Sequence, residues 1–302
     1  MTASGGIADA TDIGRVAKPP AILLPEPSAV FAQRAGRFAA LACGSPMADF
    51  LSFMAEMARA QAAALDALAI EILPDICLGG GMPPLDREKW RPARSWQGAL
   101  AIILDRLKAA ALTTEIRSAI EHLAGLNAEV LDALAEKAVH FETGVAEPAT
   151  ACLVFAALQV YWTLMAGQMR GAELKTPDGG GGCPVCGSPP VASLVHADGS
   201  LAGSRFLVCS LCATEWRLVR IKCANCNSMK GIAYLEIQNA GGLVKAETCD
   251  ECRGYSKVIY REKAPSADAF ADDLASLGLD LLVDEAGWQR ATPNPFLLPG
   301  AG

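Results

Sequence analysis

Eight of the eleven cysteines stand in four Cys-x-x-Cys pairs, and their sulfurs are the atoms of this chain best suited to chemistry. The pairs are Cys183/Cys186, Cys209/Cys212, Cys223/Cys226 and Cys249/Cys252. A shift of forty residues maps the first two pairs onto the last two, so the pairs form a tandem repeat. Each repeat supplies four thiolates, enough for one closed tetrahedral metal site. The sequence therefore predicts two metal sites, called site 1 in the first repeat and site 2 in the second.

Other uses of these cysteines are less consistent with the pattern. Disulfide bonds need an oxidising compartment, and the chain shows no secretory signal. A thioredoxin-like redox pair uses one Cys-x-x-Cys at the start of a helix, not four in a repeat. A cross-braced arrangement would join the first knuckle to the third, whereas the repeated spacing favours a unit that closes on itself. A closed four-sulfur site leaves no open position for metal-activated hydrolysis, and it accepts zinc or iron.

Strand-like runs must carry the knuckles, which are the tight turns formed by the cysteine pairs. Within each repeat, two such runs flank a turn rich in glycine, and a further β-rich run follows the second knuckle. Each repeat is therefore predicted to be a small ribbon with a third strand. The runs are Val191–His196, Arg205–Val208 and Trp216–Ile221 in the first repeat, and Gly231–Ile237, Leu243–Ala246 and Tyr255–Arg261 in the second.

The chain before the cysteines has a helical pattern of apolar residues. Ser45 and Pro46 are typical of a helix start, and another helix is expected near Ser95. Thr113 or Thr114 is predicted to cap a third helix, whose apolar face continues to Leu134.

One predicted helix in this half of the chain carries no charge. The stretch from Pro148 to Met169 is 22 residues long, which is enough to span a bilayer. Gln159 and Gln168 interrupt it, and Arg170 is the only charge close by. We interpret it as the buried central helix of a bundle, with Cys152 as a small apolar core residue, and expect no membrane span.

The C-terminal region is predicted to add one more helix, from Ser266 to Glu285. Phe270, Leu274, Leu277 and Leu281 form its apolar face, by which it is expected to pack on the helical domain. Its acidic residues are interpreted as a solvated face, with a contact surface as the alternative; they are Asp272, Asp273, Asp280, Asp284 and Glu285.

Composition limits the function classes. The 302-residue chain has a net charge of −7, which disfavours nucleic-acid binding. The segment from Arg205 to Lys230 is mildly basic, and we interpret it as a solvated strand face or a protein-binding edge. Nucleophile-elbow, P-loop and dinucleotide-binding motifs are absent from the sequence, so an enzyme is not expected. The N-terminal residues lack the pattern of a signal peptide, which predicts a cytoplasmic protein.

Runs of sequence along the chain resemble the formate dehydrogenase accessory protein family, FdhE. The resemblance extends over nearly all of the chain from Pro27, and the combination is more specific than any single cysteine pair. The matching runs are Asp49–Phe53, Pro83–Asp86, Tyr161–Ala166, Cys183–Val191, Cys209–Trp216, Val219–Cys226, Lys245–Cys252, Tyr255–Tyr260, Ala271–Leu277 and Asn294–Gly300.

This resemblance implies a cytoplasmic assembly factor that acts on the molybdenum-containing catalytic subunit of formate dehydrogenase before that subunit matures or is exported. It also implies rubredoxin-type iron in both cysteine sites, so iron is favoured over zinc for the two metal ions. The spacing of the cysteines alone leaves both metals open. An electron-transfer component and a nucleic-acid-binding ribbon protein are the alternative functions.

The expected fold is α+β, with an N-terminal helical bundle, a tandem of rubredoxin-like or zinc-ribbon-like β modules with four cysteines each, and a C-terminal helix. Exposed basic and aromatic residues beside the knuckles are the expected surface for the catalytic subunit, namely Arg205, Trp216, Arg220 and Lys222. A homodimer stays open. The predicted units are a flexible N-terminus (1–26), the helical domain (27–172), a glycine-rich hinge (173–182), the first ribbon (183–222), the second ribbon (223–263), and the C-terminal helix and tail (264–302).

Overall fold

The structure is a computed structural model that describes residues 19–68, 83–92, 94–110, 112–142, 146–169, 174–176, 181–292 and 294–297. The α-helices of the described residues are Pro27–Ala42 (α1), Ala48–Leu68 (α2), Arg94–Leu107 (α3), Thr114–Gly125 (α4), Ala128–Val139 (α5), Pro148–Gly167 (α6), Ala269–Ala275 (α7) and Leu277–Glu285 (α8). The strands are Ile22–Leu23 (β1), Pro190–Val195 (β2), Arg205–Cys209 (β3), Glu215–Leu218 (β4), Ile232–Leu235 (β5), Val244–Cys249 (β6), Gly254–Tyr260 (β7) and Gln289–Arg290 (β8). The mixed α and β class is the one predicted.

Helix α6 forms the centre of the helical region, and its prediction as a buried helix is confirmed. Every residue except Pro148, Ala149 and Ala151 is buried, because α1 to α5 pack around it. Among the described residues it is the one helix long and apolar enough to cross a membrane, but 89% of that apolar window is buried inside the protein. An apolar surface on all sides is what the core helix of a bundle requires.

The predicted helix from Thr113 to Leu134 is in fact two helices, so that prediction was wrong in length. Helix α4 ends at Gly125, and Leu126 takes an extended conformation. The side chain of Asn127 then caps α5 by accepting a hydrogen bond from the amide of Val130 at 3.0 Å. The predicted cap at Thr113 is confirmed, with its hydroxyl 3.5 Å from the amide of Ile116. A local Asn cap therefore interrupted a continuous apolar pattern.

All eight described strands belong to one sheet, with the order β1-β4-β3-β2-β7-β6-β5 and β8 beside β7. Strands β2 to β4 form the first ribbon and β5 to β7 the second, so the third strand predicted for each ribbon is present. Parallel pairing of β2 with β7, in the register Ser193 to Val258, joins the two ribbons. The sequence did not indicate this fusion, and the predicted unit boundaries stay predictions.

The N-terminal end of the chain differs in part from its prediction. Residues 1–18 lie outside the described residues, as do 173 and 177–180 of the predicted hinge. Ile22 and Leu23 were assigned to a flexible terminus, but they pair with Trp216 and Glu215 at the edge of the sheet.

The predicted C-terminal helix is broken at Ser276 into α7 and α8. Its first part, α7, packs against α1 as expected, whereas α8 packs against β6 and β8 and leaves Leu281 of the predicted apolar face exposed. Arg34 contacts Asp268 at 3.3 Å, and Arg37 contacts Asp272 at 2.5 Å.

The interpretation of the acidic residues as a solvated face is wrong at two positions. Asp272 and Asp273 are both buried. Asp272 pairs with Arg37, while Asp273 pairs with Lys257 at 3.3 Å and with Arg290 at 2.5 Å. Buried carboxylates need such partners, because desolvation of an unpaired charge is costly.

Candidate metal centres

Site 1 brings together the four cysteines of the first repeat. All of its sulfur atoms lie within 4.8 Å of one another. The Sγ atoms of Cys183 and Cys212 are 3.5 Å apart, and those of Cys186 and Cys209 are 3.4 Å apart. The β2/β3 hairpin makes this possible, since its register places Pro190 opposite Cys209 and so sets the two knuckles side by side. The predicted grouping is confirmed.

Site 2 repeats this construction in the second ribbon. The Sγ atoms of Cys223 and Cys252 are 3.8 Å apart, and those of Cys226 and Cys249 are 3.6 Å apart. Ile232 of β5 lies opposite Cys249 of β6, which brings the knuckles together. Each repeat closes on itself, so the cross-braced alternative is wrong. The cysteines among the described residues are free, which contradicts the disulfide alternative.

All four knuckles use the same backbone turn. The residue after the second cysteine has a positive φ in each knuckle: 80° at Gly187, 57° at Ala213, 66° at Asn227 and 54° at Arg253. Only the first has glycine, which adopts this conformation without strain. The other three knuckles have a non-glycine residue there, for which a positive φ is strained. This strain indicates that the geometry of the sulfurs determines the turn.

Backbone amides inside the turns point at the sulfurs. The amides of Val185, Leu211 and Asn225 each lie 3.4 Å from the Sγ atom of the first cysteine of their knuckle. The amide of Cys212 also donates to Cys209 Sγ at 3.3 Å. Such N–H groups stabilise negative charge on thiolates and tune any metal that the thiolates bind.

The electrostatics of site 1 fit a cation. Burial raises the pKa of the Cys183 and Cys209 thiols well above the usual range, because it disfavours their charged forms. Burial acts on Cys186 in the same sense, but hydrogen bonds from Cys183, Cys209 and Cys212 outweigh it and hold the pKa of Cys186 well below its usual range. A divalent cation would stabilise all four as thiolates.

The helical region closes site 1 from one side. Gln159 of α6 donates from Nε2 to the carbonyl of Ser210 at 2.8 Å. The amide of Leu85 donates to the carbonyl of Val185 at 2.9 Å, and that of Arg87 donates to the carbonyl of Cys186 at 3.1 Å. These bonds reach both knuckles, and all four cysteines of site 1 are buried. Site 1 is therefore part of the contact between the helices and the sheet.

Site 2 lies at the surface. Cys223 and Cys249 are buried, but Cys252 is partly accessible and Cys226 is exposed. The residues before and after the Cys223/Cys226 knuckle expose apolar side chains, since Val219 and Ile221 are each 61% and Met229 66% accessible. Exposed apolar groups clustered beside a metal site are typical of a contact surface.

Two of the four residues predicted to contact a partner are buried, which is a correction. Arg205 is 1% exposed because β3 is buried along its whole length, and Trp216 is 2% exposed because it is one of the alternate residues of β4 that are buried. Arg205 forms a bidentate pair with Glu247 of β6, so it joins the two ribbons. Arg220 is exposed and Lys222 is partly exposed, and these two remain candidates for contact.

Sequence reasoning missed the groups that hold the ribbons together. The hydroxyl of Tyr234 lies 2.7 Å from the carbonyl oxygen of Arg220 and 2.9 Å from Glu247 Oε2, two acceptors that share its single proton. Burial and the Glu247 carboxylate raise the pKa of Tyr234, so its proton stays available for these bonds. No signal in the sequence marked Glu247, since a charge on a strand is usually solvated. Gln159, which contacts Ser210, could have been recognised from the sequence, because it is a polar residue within an uncharged helix.

Comparison with known protein families gives a match to three consecutive family models. They are described as FdhE, N-terminal at residues 19–178, FdhE, central domain at 182–220, and FdhE, C-terminal domain at 221–297. The chain belongs to the FdhE family. The resemblance predicted from the sequence is thereby confirmed.

Similar FdhE proteins are known from several bacteria. The chain is 38% identical to the Protein FdhE homolog of Edwardsiella ictaluri, with 92% of each chain covered. It is 36% identical to the homolog of Proteus mirabilis, with coverage of 93% of this chain and 92% of that one. The crystal structure of the FdhE protein from Pseudomonas aeruginosa matches with a TM-score of 0.82 and 35% identity, over 93% of this chain and 100% of that one. The similarity to FdhE thus extends over both the helices and the sheet.

Proposed function

We propose that this FdhE-family chain is a non-enzymatic accessory factor for formate dehydrogenase, which binds the catalytic subunit in the cytoplasm during its maturation. Family membership supports the choice of client, because the FdhE resemblance implies that role. The observation that carries a binding function is the surface beside site 2, where Val219, Arg220 and Ile221 are exposed and Lys222 is partly exposed. We call these four residues the rim.

The rim is held from both ribbons, which supports the proposal that the metal sites fix its shape. The Arg205 guanidinium lies 3.4 Å from the carbonyl of Arg220 and 3.4 Å from that of Lys222. Tyr234 of the second ribbon donates to the same carbonyl of Arg220. The next residue in the chain is Cys223, a ligand of site 2. Pre-organisation of this kind lowers the entropic cost of binding a partner.

Paired charge reversals test the rim. Arg220→Glu with Lys222→Glu should abolish capture of the formate dehydrogenase catalytic subunit in a pull-down. Arg106→Glu with Lys108→Glu is the matched control, since both residues are exposed at the end of α3 and the helix packs on other helices. Metal content and thermal unfolding should be unchanged in both doubles. Undiminished capture by the rim variant would exclude this surface.

We propose rubredoxin-type iron for both sites, with zinc as the alternative, because the FdhE resemblance implies iron while four sulfurs accept either metal. Metal analysis of freshly purified protein with its visible spectrum distinguishes them. About two irons per chain, with thiolate charge-transfer bands that bleach on reduction, would support a redox-sensing role. Two zincs and a colourless protein would restrict the sites to a structural role and contradict redox sensing.

An electron-transfer function is the second candidate, and the exposure of Cys226 is the observation that favours it, since a ligand at the surface shortens the path to a partner. This function requires reversible reduction of site 2 and turnover with a redox partner. A variant that lacks metal in site 2 and still matures its client would contradict it.

A further inference from the structure

We infer that site 2 is an exchangeable cation site, at which the metal is gained and lost through Cys226, whereas site 1 releases its metal far more slowly. The inference rests on the proposed binding of one metal ion by each four-cysteine cluster. It assigns different tasks to two sites that the sequence repeat makes look equivalent.

The exposure of the ligands supports the first half of this inference. In site 1 all four sulfur-bearing residues are buried. In site 2, Cys226 is exposed and Cys252 is partly accessible, and their sulfur atoms lie within 4.8 Å of each other. A chelator in solution can therefore approach the metal of site 2 without any movement of the backbone.

The neighbours of the knuckles support the second half. Release from site 1 requires the bonds from Gln159, Leu85 and Arg87 to break, because these bonds tie its knuckles to the helices. That opening separates part of the sheet from the helical region and exposes buried apolar surface. Opening of this extent is less frequent than local fraying of a surface loop. The two sites should therefore release metal on different time scales.

The position of the second ribbon at the edge of the sheet also supports faster release of metal from site 2. Strand β5 ends the sheet, and three of its four residues, Ala233, Tyr234 and Leu235, are exposed. Strand β2, which follows the first knuckle of site 1, lies between β3 and β7 and is buried along its whole length. The scaffold around site 2 thus has fewer neighbours to hold its knuckles closed.

The exchange step is a ligand substitution. Cys226 Sγ would give up its bond to the cation, keep the electron pair, and take a proton from a buffer acid in solution. A donor atom of the chelator forms a bond to the cation in its place. The other three thiolates are then replaced in turn, and no oxidant or reductant is required.

Release kinetics test the inference on the full-length protein loaded with zinc. A chromophoric chelator in excess is added, and the absorbance of the zinc complex is followed. We expect two phases of one equivalent each, with the second phase at least about tenfold slower than the first because it requires sub-global opening. Two equivalents released in a single phase would overturn the inference.

Thiol labelling assigns the phases without any mutation. Samples taken during release are pulsed with iodoacetamide and analysed by peptide mass spectrometry. Cys226 should be alkylated in step with the fast phase, while Cys183, Cys186, Cys209 and Cys212 should be labelled only with the slow phase. Exposed Cys43 reports that the reagent is active throughout. Labelling of site 1 in the fast phase would overturn the assignment.

Cys226→Ser provides a second measurement. The variant should lose the fast equivalent and keep the slow one at its original rate, with Cys43→Ser as the control that keeps both phases. A variant that keeps the fast phase would contradict exchange at site 2. Wild-type protein that binds fewer than two equivalents would overturn both this inference and the proposed pair of metal sites, and metal analysis reveals that before any chelator is added.

Discussion

Sites 1 and 2 have the same ligand spacing and the same turns but different surroundings. In both, hairpin register places two knuckles side by side, and two pairs of sulfurs from opposite knuckles lie between 3.4 and 3.8 Å apart. Site 1 is buried against α6 and the segment around Leu85, while site 2 meets solvent through Cys226. The repeat therefore determines coordination, whereas the neighbours of each copy determine solvent access and stability.

The largest effect is expected from removal of a ligand in site 1. Cys183→Ser should leave little soluble protein, because binding of a structural metal contributes on the order of 10 kcal/mol to the folding of a small module. Cys226→Ser should stay soluble with a lower melting temperature, since site 2 lies at the edge of the sheet. Yield and thermal unfolding measure both.

Cys152→Ser is the matched control for these two variants. Cys152 lies in α6 away from both sulfur clusters, and a serine hydroxyl in a helix can donate to the carbonyl four residues before it. We expect near-normal yield. Equal losses in Cys183→Ser and Cys226→Ser would contradict the difference between the sites, and a collapse of Cys152→Ser alone would contradict the ligand assignment.

A smaller effect is expected at the ion pair that joins the ribbons. Arg205→Ala should destabilise the protein by about 3–5 kcal/mol, because it leaves the carboxylate of Glu247 buried without its partner. Denaturant unfolding of the metal-loaded protein measures this change. The loss should also loosen the rim, since the Arg205 guanidinium contacts the carbonyls of Arg220 and Lys222.

Arg217→Ala controls for the loss of an arginine from the same hairpin, because Arg217 is partly exposed on β4. It should change the stability by less than about 1 kcal/mol, as is usual for surface substitutions. If both variants lost the same stability, the pair of Arg205 with Glu247 would not be what joins the two ribbons.

The features that depend on local residue spacing could be predicted from the sequence. The cysteine repeat predicted both clusters, and an apolar run free of charge predicted α6 as the core of the bundle. The caps show the limit of such patterns. Thr113 was recognised, but the apolar face that continued past Asn127 concealed a break between α4 and α5.

Features that depend on contacts between distant segments could not be predicted. The parallel pairing of β2 with β7 joins strands about sixty residues apart, and no local motif specifies it. The same holds for Arg205, which looked like a basic surface residue until its partner Glu247 was located across the sheet. The charges of Asp272 and Asp273 were misinterpreted for this reason as well, because their partners include residues from α1 and β7.

The smallest effect tests whether the helical region is what makes site 1 different from site 2. Gln159→Leu removes the bond to Ser210 and leaves the Arg34 guanidinium without the acceptor that lies 3.2 Å away. Loss of such buried hydrogen bonds costs about 1–3 kcal/mol. If the bond holds the second knuckle of site 1 closed, the slow phase of zinc release should become about 5- to 160-fold faster, with the fast phase unchanged.

Gln168→Leu is the matched control, because it makes the same change at an exposed position at the end of the same helix. It should alter neither phase. A slow phase that is unaffected by Gln159→Leu would mean that burial of the sulfurs within the sheet is sufficient to hold the metal, and the helices would then have no part in the difference between the two sites. Acceleration of both phases would instead indicate global destabilisation. Acceleration of the slow phase alone is the result that links the contact of α6 with Ser210 to metal retention.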